Sequence, residues 1–382
     1  MSQELQELRN KIDDADKRLV SLIAERLSLV ARVGRVKSRD GVPVYDPARE
    51  ASMLAKRRAE AEEAGISPDV IEDVLRRIMR ESYNGESRED FKCVNPKAGK
   101  VVVVGGFGQL GKLFVKLFKS SHYEAEALSR RNWDRAEELL HDAGLVIISV
   151  PINSTPDVIA QVSKMIPENA VLADITSVKT GPLETMLRCH KGPVVGLHPL
   201  FGPDVQNFAK QLIVCCGGRM PEKYSWVIEQ MKIWGANIYN VEAAVHDRAM
   251  SVIQGLRHFT TFAYGVNLMS ERYDVARLVN LSSPVYRLEI MMVGRLFAQD
   301  PSLYAEIIMS SKQNLEVIRR YADAVSKCLK LIEKGDEQKF IELFLETRKY
   351  FGDYAQKFME ESRRLLAVSS DSGRRGEEGA GK

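Results

Sequence analysis

Residues 101–111 read VVVVGGFGQLG, four valines followed by the spacing Gly106-x-Gly108-x-x-Gly111. The valines predict a buried parallel strand, and the apolar residues after the glycines recur at helical spacing. A glycine turn between a strand and a helix is typical of a dinucleotide-binding βαβ unit. In such a unit Gly106 allows the tight turn, Gly108 lets the backbone approach a pyrophosphate, and Gly111 lets the helix pack closely on the strand. The alternative is a glycine turn with a structural role alone.

Downstream of this turn, short apolar segments alternate with helical patterns. The strand candidates are Val101–Val104, Ala125–Leu128, Leu145–Val150, Val171–Asp174, Val194–Leu197 and Leu212–Cys215. Their alternation predicts a mostly parallel sheet with helices on both faces, an α/β Rossmann-like nucleotide-binding domain that we bound at 99–245. Long helical patterns without strand signal predict an all-α domain over 246–366. The polar tail 367–382 has nothing to bury, so we expect it to be disordered.

Upstream of the turn, the first ninety residues carry no strand signal. Helical spacing over 5–36 predicts one long helix, and Pro47 and Pro68 suit the first turns of a second and a third. A helix of about 35 residues is ~50 Å long, so we expect its apolar stripe to pack on a second chain or on another domain. We therefore predict an all-α domain over 1–90 and a polar linker over 91–98.

Composition excludes several classes of function. The 55 Lys and Arg residues against 52 Asp and Glu leave a net charge of +3, which gives no general field for nucleic acid or a membrane surface. The first residues are charged rather than an apolar signal region, and no apolar run is long enough to cross a bilayer. Five scattered cysteines without CxxC spacing indicate neither disulfides nor a metal site. We expect a cytoplasmic protein.

Strong charges lie on or beside the apolar stripes of the first ninety residues. These are Arg9, Arg26, Lys37, Asp46, Arg49 and Glu50. Arg26 and Lys37 are about three helical turns apart, so they point the same way at a separation of ~16 Å. Arg9 lies ~25 Å from Arg26 and about 100° round the helix, so it reaches the same small ligand only from a second chain. The alternative for each of these charges is a face exposed to solvent.

This region resembles the all-helical chorismate mutase domains that are fused to enzymes of aromatic amino-acid synthesis. The resemblance covers residues 1 to about 90 and is carried by LRNKIDDADKRLVSLIAERLSLVARVGRVK, VPVYDPARE and MRES. It implies that Arg26, Arg49 and Arg9 of the partner subunit hold the two carboxylates of chorismate. It also implies that Lys37 donates to the ether oxygen of the substrate.

The same resemblance implies that Asp46 and Glu50 orient the ring hydroxyl and that Ser82 lines the pocket. A Claisen rearrangement needs only a dianion held in a compact conformer, with positive charge where the breaking C–O bond becomes negative. Many relatives have Gln beside the ether oxygen, where this chain has Glu86. A carboxyl group donates a hydrogen bond only when protonated, so we expect mutase activity to fall as Glu86 ionises.

Polar residues also follow three strands of the predicted sheet. They lie in Ser149-Val150-Pro151, in DITSVK (174–179) and in GLHPLFGPD (196–204). Cofactors lie at the carboxyl ends of strands in open α/β sheets, which places Ser149 and Pro151 near a nicotinamide. His198 ends a strand among Gly and Pro turns, which favours a base over a packed core histidine. His246 and His258 remain open between pocket lining and structure.

GLHPLFGPD, DITSVK and YRLEIMMVGRLFAQDP (286–301) resemble prephenate dehydrogenases, in which a Rossmann domain is paired with a helical dimerisation domain. With the mutase match, the resemblance points to a bifunctional enzyme of tyrosine biosynthesis. Chorismate would be rearranged to prephenate and then oxidatively decarboxylated to 4-hydroxyphenylpyruvate with hydride transfer to NAD(P). His198 would accept the proton of the C4 hydroxyl, Ser177 would support that hydrogen bond, and Arg295 would hold the ring carboxylate. A homodimer and feedback inhibition by tyrosine are also implied.

The second predicted strand ends in Leu128-Ser129-Arg130-Arg131, where a NAD site usually has Asp or Glu for the ribose. A small hydroxyl with arginines favours the 2′-phosphate of NADP. The family resemblance favours NAD, which we expect. Two alternatives stay open. The N-terminal helices could be only a dimerisation or ligand-sensing arm, and the dehydrogenase could prefer arogenate.

Overall fold

Residues 3–86, 91–202, 205 and 207–373 are described by the computed structural model, with 84–86 and 367–373 described by their backbone alone. The chain divides into two units, Met1–Asp247 and Arg248–Lys382. The first contains the N-terminal helices and the sheet. The second is helical, which confirms the predicted order of an all-α, an α/β and an all-α region.

Three helices form the N-terminal region: α1 (Gln3–Asp40), α2 (Pro47–Glu63) and α3 (Pro68–Glu86). Asp46 caps α2 by accepting a hydrogen bond from the Arg49 amide at 3.0 Å, and Pro47 occupies the first turn. Apolar side chains of α1 such as Leu8 and Leu22 are 50% and 62% exposed. Such exposure suits a helix whose stripe packs on a second chain.

The described residues of the first unit form a sheet of seven strands in the order β2-β1-β3-β4-β5-β6-β7. The strands are β1 (Lys100–Val104), β2 (Ala125–Leu128), β3 (Ala143–Ile148), β4 (Val171–Asp174), β5 (Val194–Pro199), β6 (Leu212–Gly217) and β7 (Asn237–Asn240). Neighbouring strands are parallel except β5 and β6. Sequence analysis missed β7, because Asn-Ile-Tyr-Asn has no apolar alternation and its residues are mostly exposed.

Helices connect these strands and cover both faces of the sheet. They are α4 (Gln109–Lys119), α5 (Ala136–Leu140), α6 (Thr155–Val162), α7 (Thr180–Cys189) and α8 (Pro221–Ile233). Helix α9 (Ala243–Met250) follows β7 and ends in the second unit. Two sets of buried apolar side chains result, one on each face. This placement leaves the carboxyl ends of the parallel strands at one edge, where the loops carry the candidate site residues.

The predicted linker 91–98 is packed rather than loose. Phe91 is 3% exposed and belongs to the core under the sheet. The Gln230 side chain accepts from the Val94 amide at 3.0 Å and donates to the Lys92 carbonyl at 3.2 Å. Phe91, Cys93 and Val94 are the apolar minority of a polar stretch, and their burial fixes it to the nucleotide-binding region.

In the described part of the second unit, a π-helical turn at Ser251–Leu256 is followed by seven helices. They are α10 (Arg257–Ser270), α11 (Val275–Asn280), α12 (Pro284–Phe297), α13 (Pro301–Met309), α14 (Lys312–Lys334), α15 (Glu337–Phe351) and α16 (Asp353–Gly373). Helix α16 is described through Gly373, within the tail 367–382 that we expect to be disordered. Residues 374–382 lie outside the described part.

Candidate active sites

A cavity of about 190 Å³ opens among the three N-terminal helices. It is lined by Arg26, Val30, Val33, Lys37, Val44, Asp46, Arg49, Glu50, Met53, Met79, Ser82 and Tyr83. The structure thus brings together six charged or polar residues that the sequence singled out, from α1, α2, α3 and the loop before α2. Arg9 is exposed on α1 and is not part of this lining.

Positive groups of this cavity have donor capacity to spare. Lys37 Nζ donates to the Val44 carbonyl at 2.8 Å, which leaves two of its three protons. Arg26 Nη1 is buried without a hydrogen-bond partner among the described residues. A buried unpaired donor is costly unless a ligand satisfies it, so the arrangement suits an anion. Ser82 is buried, and its hydroxyl donates to the Ile78 carbonyl at 3.0 Å.

The glycine turn is built differently from the expectation in one respect. We expected Gly106 to allow the tight turn, but the glycine with a positive φ, at +88°, is its neighbour Gly105. A Cβ on Gly105 would lie 2.0 Å from the Ser149 carbonyl oxygen, so β1 and β3 approach here as only glycine allows. Gly106 lacks room for another reason, since its Cβ would lie 2.7 Å from Ala127 Cβ.

Helix α4 begins directly after this turn, with Gly108 as its N-cap and no side-chain cap. A Cβ on Gly111 would lie 2.4 Å from the Gly105 carbonyl oxygen, so this glycine lets the helix pack against the turn. Backbone amides in the first turn of a helix bind anions. The turn therefore fits the pyrophosphate of a dinucleotide. Ser149, directly after β3, lies against Gly105, and Pro151 follows two residues along the chain.

Ser129 directly follows β2 and caps a short 3₁₀ helix. Its hydroxyl accepts from the Arg131 amide at 3.1 Å, and its amide donates to Asn132 Oδ1 at 2.8 Å. Arg130 and Arg131 are exposed, and neither forms an ion pair with any described residue. Ser129 is therefore used as a helix cap, while the arginines remain available to solvent or to a cofactor.

A buried chain of hydrogen bonds lies at the end of β5. His198 is 2% exposed, and its Nδ1 lies 2.8 Å from His246 Nε2. His246 Nδ1 lies 2.8 Å from Asp247 Oδ1. The Asp247 carboxylate also accepts from the amides of Lys179 and Thr180 at 2.8 and 2.9 Å. These contacts join His198 to a carboxylate through a second imidazole, which places His246 in the site.

Burial and neighbouring charges tune these groups. Burial lowers the pKa of His198 well below its usual value, Lys179 and His246 lower it further, and Asp247 opposes them. Burial opposes ionisation of Asp247, but hydrogen bonds from His246, Thr180 and Lys179 prevail and lower its pKa to about 2. At neutral pH, therefore, His198 in this series of hydrogen bonds is neutral and Asp247 is ionised.

Sequence reasoning missed three residues of this site: Asp174, Lys179 and Asp247. Lys179 is fully buried, pairs with Asp174 Oδ2, and donates to the Leu197 carbonyl at 2.6 Å. A signal was present, because DITSVK places an aspartate and a lysine five residues apart at one strand end. Asp247 belongs to no sequence motif, and its position directly after a histidine was the signal that could have indicated it.

Other predicted residues are placed as follows. Ser177 is half-buried just after β4. Arg295 lies in the second unit, on the exposed side of α12, and its role stays a prediction. The side chain of Glu86 lies outside the described residues. His258 is buried against the Tyr304 ring, with centroids 4.8 Å apart, and burial lowers its pKa to about 4.

The described residues contain no group of three or more His, Cys, Asp or Glu side chains placed to hold a metal ion. Within the same part of the chain, none of the helices combines the length and apolarity needed to span a membrane.

Comparison with known families assigns each region. Residues 8–87 match chorismate mutase type II, residues 119–219 match the nucleotide-binding domain of prephenate dehydrogenase, and residues 242–346 match its dimerization domain. The fold and the two sites thus define a chorismate mutase joined to a prephenate dehydrogenase.

Similar proteins span the whole chain. The T-protein of Enterobacter agglomerans is 54% identical over 97% of this chain and 100% of its own, and that of Haemophilus influenzae is 50% identical over 96% and 97%. A crystal structure of prephenate dehydrogenase from A. aeolicus has the same fold, with a TM-score of 0.55 and 17% identity over 65% of this chain and 96% of its own. The chain belongs to the T-protein family.

Proposed function

We propose how the described residues divide the work of this bifunctional enzyme of tyrosine biosynthesis, a chorismate mutase and prephenate dehydrogenase. In the mutase cavity Arg26 and Arg49 bind the carboxylates of chorismate, and Lys37 stabilises the charge that develops on the ether oxygen. Asp46 and Glu50 orient the ring hydroxyl, and Ser82 lines the wall. The supporting observation is that all six line one cavity with an unsatisfied arginine donor.

In the dehydrogenase, the hydrogen-bond chain selects the working nitrogen of His198. The Asp247 carboxylate accepts a hydrogen bond from His246 Nδ1, and in the tautomer that this contact favours, His246 Nε2 accepts from His198 Nδ1. His198 Nε2 is then the unprotonated nitrogen, and it takes the proton of the C4 hydroxyl of prephenate. Ser177 supports that hydrogen bond, and Arg295 holds the ring carboxylate that leaves as carbon dioxide.

NAD is the cofactor that we assign to the nucleotide-binding domain, at the turn of Gly105, Gly106, Gly108 and Gly111. The A. aeolicus structure of the same fold is described as a complex with hydroxyphenyl propionate and NAD+. When bound, NAD accepts the hydride from C4 of prephenate. The protein orients the substrate and receives the hydroxyl proton, while the ring gains aromaticity.

Further assignments complete the proposal. A homodimer is supported by the dimerization-domain match and by the exposed stripe of α1, and it would let Arg9 of the partner subunit complete the mutase cavity. Five unpaired cysteines support a cytoplasmic setting. Prephenate rather than arogenate as the substrate, and tyrosine as a feedback inhibitor, are parts of the same proposal. So are the domain limits 1–90, 99–245 and 246–366.

A crossed pair of variants tests the two sites. Lys37→Ala removes a donor aimed at a developing charge and should lower mutase kcat by about 10²–10³ while sparing the dehydrogenase. His198→Asn should retain cofactor affinity and mutase activity but lose most dehydrogenase turnover. Chorismate loss and reduced-cofactor formation are followed separately, with prephenate supplied directly for the second assay. A folded variant that loses both activities equally would contradict separate sites.

A further inference from the structure

A lysine of the nucleotide-binding region reaches the mutase cavity within the first unit. Lys210 lies in the turn before β6, and its Nζ donates to Glu50 Oε1 at 2.6 Å. Nζ also lies 5.3 Å from the ring centroids of both Tyr45 and Tyr83. The Tyr83 hydroxyl donates to Glu50 Oε2 at 3.0 Å, so each carboxylate oxygen has its own donor. The orientation of Glu50 is thereby fixed from two sides.

The backbone of Lys210 supports a specific role for its side chain. Its φ of +64° lies in the left-handed region, which non-glycine residues seldom adopt. Its amide donates to the Gly235 carbonyl at 3.0 Å, which holds the turn in place. Conformations of this kind persist where the surrounding structure imposes them, often at functional sites. Here the imposed conformation presents a lysine to the neighbouring helices.

Glu50 needs such a partner. Its side chain is 9% exposed, and a buried carboxylate is costly without a compensating cation. Arg76 from α3 approaches Glu50 Oε1 only to 3.4 Å and is itself shared with Glu72 at 2.8 Å. Lys210 makes the shorter contact, although it belongs to the dehydrogenase half of the chain.

We propose that Lys210 is a positioning residue of the mutase site, supplied by the nucleotide-binding domain, which fixes the Glu50 carboxylate for the ring hydroxyl of chorismate. The inference rests on the role proposed above for Glu50. Because the hydroxyl is bound in the substrate as well as in the transition state, loss of this support should act mainly on KM. The mutase site is thus complete only when the dehydrogenase domain is folded beside it.

The test uses the full-length enzyme with Lys210→Met, which keeps the apolar stem over the two rings and removes the charge. We expect the KM for chorismate to rise about tenfold, with kcat changed by less than about twofold. Lys210→Arg should recover most of the loss. The matched control is Lys100→Met, because Lys100 on β1 makes a similar pair with Asp142 at 2.7 Å, and it should change neither activity.

A double-mutant cycle separates positioning from packing. If Lys210 acts through Glu50, Lys210→Met should cause no further rise in KM in a Glu50→Gln background. An equal further loss there would overturn the proposal, and so would wild-type mutase kinetics for Lys210→Met beside an impaired Glu50→Gln enzyme. If Glu50→Gln itself matches the wild type while Lys37→Ala is inactive, the role of Glu50 is wrong and the inference falls with it. Thermal unfolding of each variant confirms that it is folded.

Discussion

The two active sites of this chain solve different electrostatic problems. In the mutase cavity, cations such as Arg26 and Lys37 are half-buried on helices. The rearrangement requires only that they bind a dianion and stabilise the negative charge that develops in the transition state. In the dehydrogenase, His198 is 2% exposed, burial and Lys179 lower its pKa, and its Nδ1 is hydrogen-bonded through His246 to Asp247. In the mechanism proposed above, the first site works through the placement of fixed charges and the second through the control of one proton.

This difference predicts that residues without direct contact to the substrate affect turnover far more in the dehydrogenase than in the mutase. Asp247→Asn should lower dehydrogenase kcat by about 10²–10³. A neutral amide does not stabilise the positive charge that the histidines gain with the substrate proton, and its single oxygen cannot accept from both the Lys179 and the Thr180 amide as the carboxylate does. Steady-state kinetics with prephenate and NAD measure the effect, and mutase kinetics of the same variant serve as its control.

The pH profile sharpens the same comparison. Because the pKa of His198 is held well below its usual value, wild-type dehydrogenase kcat/KM should stay level below the usual histidine range and decline only at lower pH. The Asp247→Asn variant lacks the negative charge that raises the pKa of His198. The acid limb of its kcat/KM profile should therefore move to still lower pH. Wild-type turnover and an unchanged profile in Asp247→Asn would remove Asp247 from the mechanism.

A second prediction concerns where the mutase site obtains its charges. If each cavity takes Arg26 from its own chain and Arg9 from the partner subunit, a hybrid of Arg9→Ala and Arg26→Ala chains has one intact cavity. Random exchange at equal concentrations makes half of the dimers hybrids, so about a quarter of wild-type mutase activity should return. Each variant alone is the control. No recovery under conditions shown to exchange subunits would contradict a shared cavity.

Sequence periodicity predicted most of the fold because long amphipathic helices and valine-rich strands have strong local signals. It missed β7, whose residues Asn237–Asn240 gain their strand conformation from pairing with β6 rather than from their own pattern. The charges of the mutase cavity could be grouped because Arg26 and Lys37 share one helix face. No local pattern joins Glu50 to Lys210, 160 residues away, since only the packed fold brings them together.

The nucleotide turn illustrates the same limit at a smaller scale. The glycine spacing indicated a dinucleotide, but the left-handed residue is Gly105, which stands outside the usual spacing. Which glycine turns the chain depends on how closely β3 approaches β1, and that distance is a tertiary property. Glu86, whose side chain lies outside the described residues, stays a prediction from the sequence alone.

The smallest expected effect concerns cofactor choice, where the sequence and the family pointed in different directions. Arg130 and Arg131 are exposed and unpaired among the described residues, and the hydroxyl of Ser129 is used as a helix cap. An exposed arginine contributes less binding free energy to a 2′-phosphate than a buried bidentate pair does. Replacing both arginines with Ser should therefore leave NAD kinetics unchanged and weaken NADP use by about tenfold or less. Initial rates with each cofactor at fixed prephenate measure this, and mutase activity reports on folding. A double variant that loses NAD turnover instead would show that these arginines hold the ribose or pyrophosphate common to both cofactors.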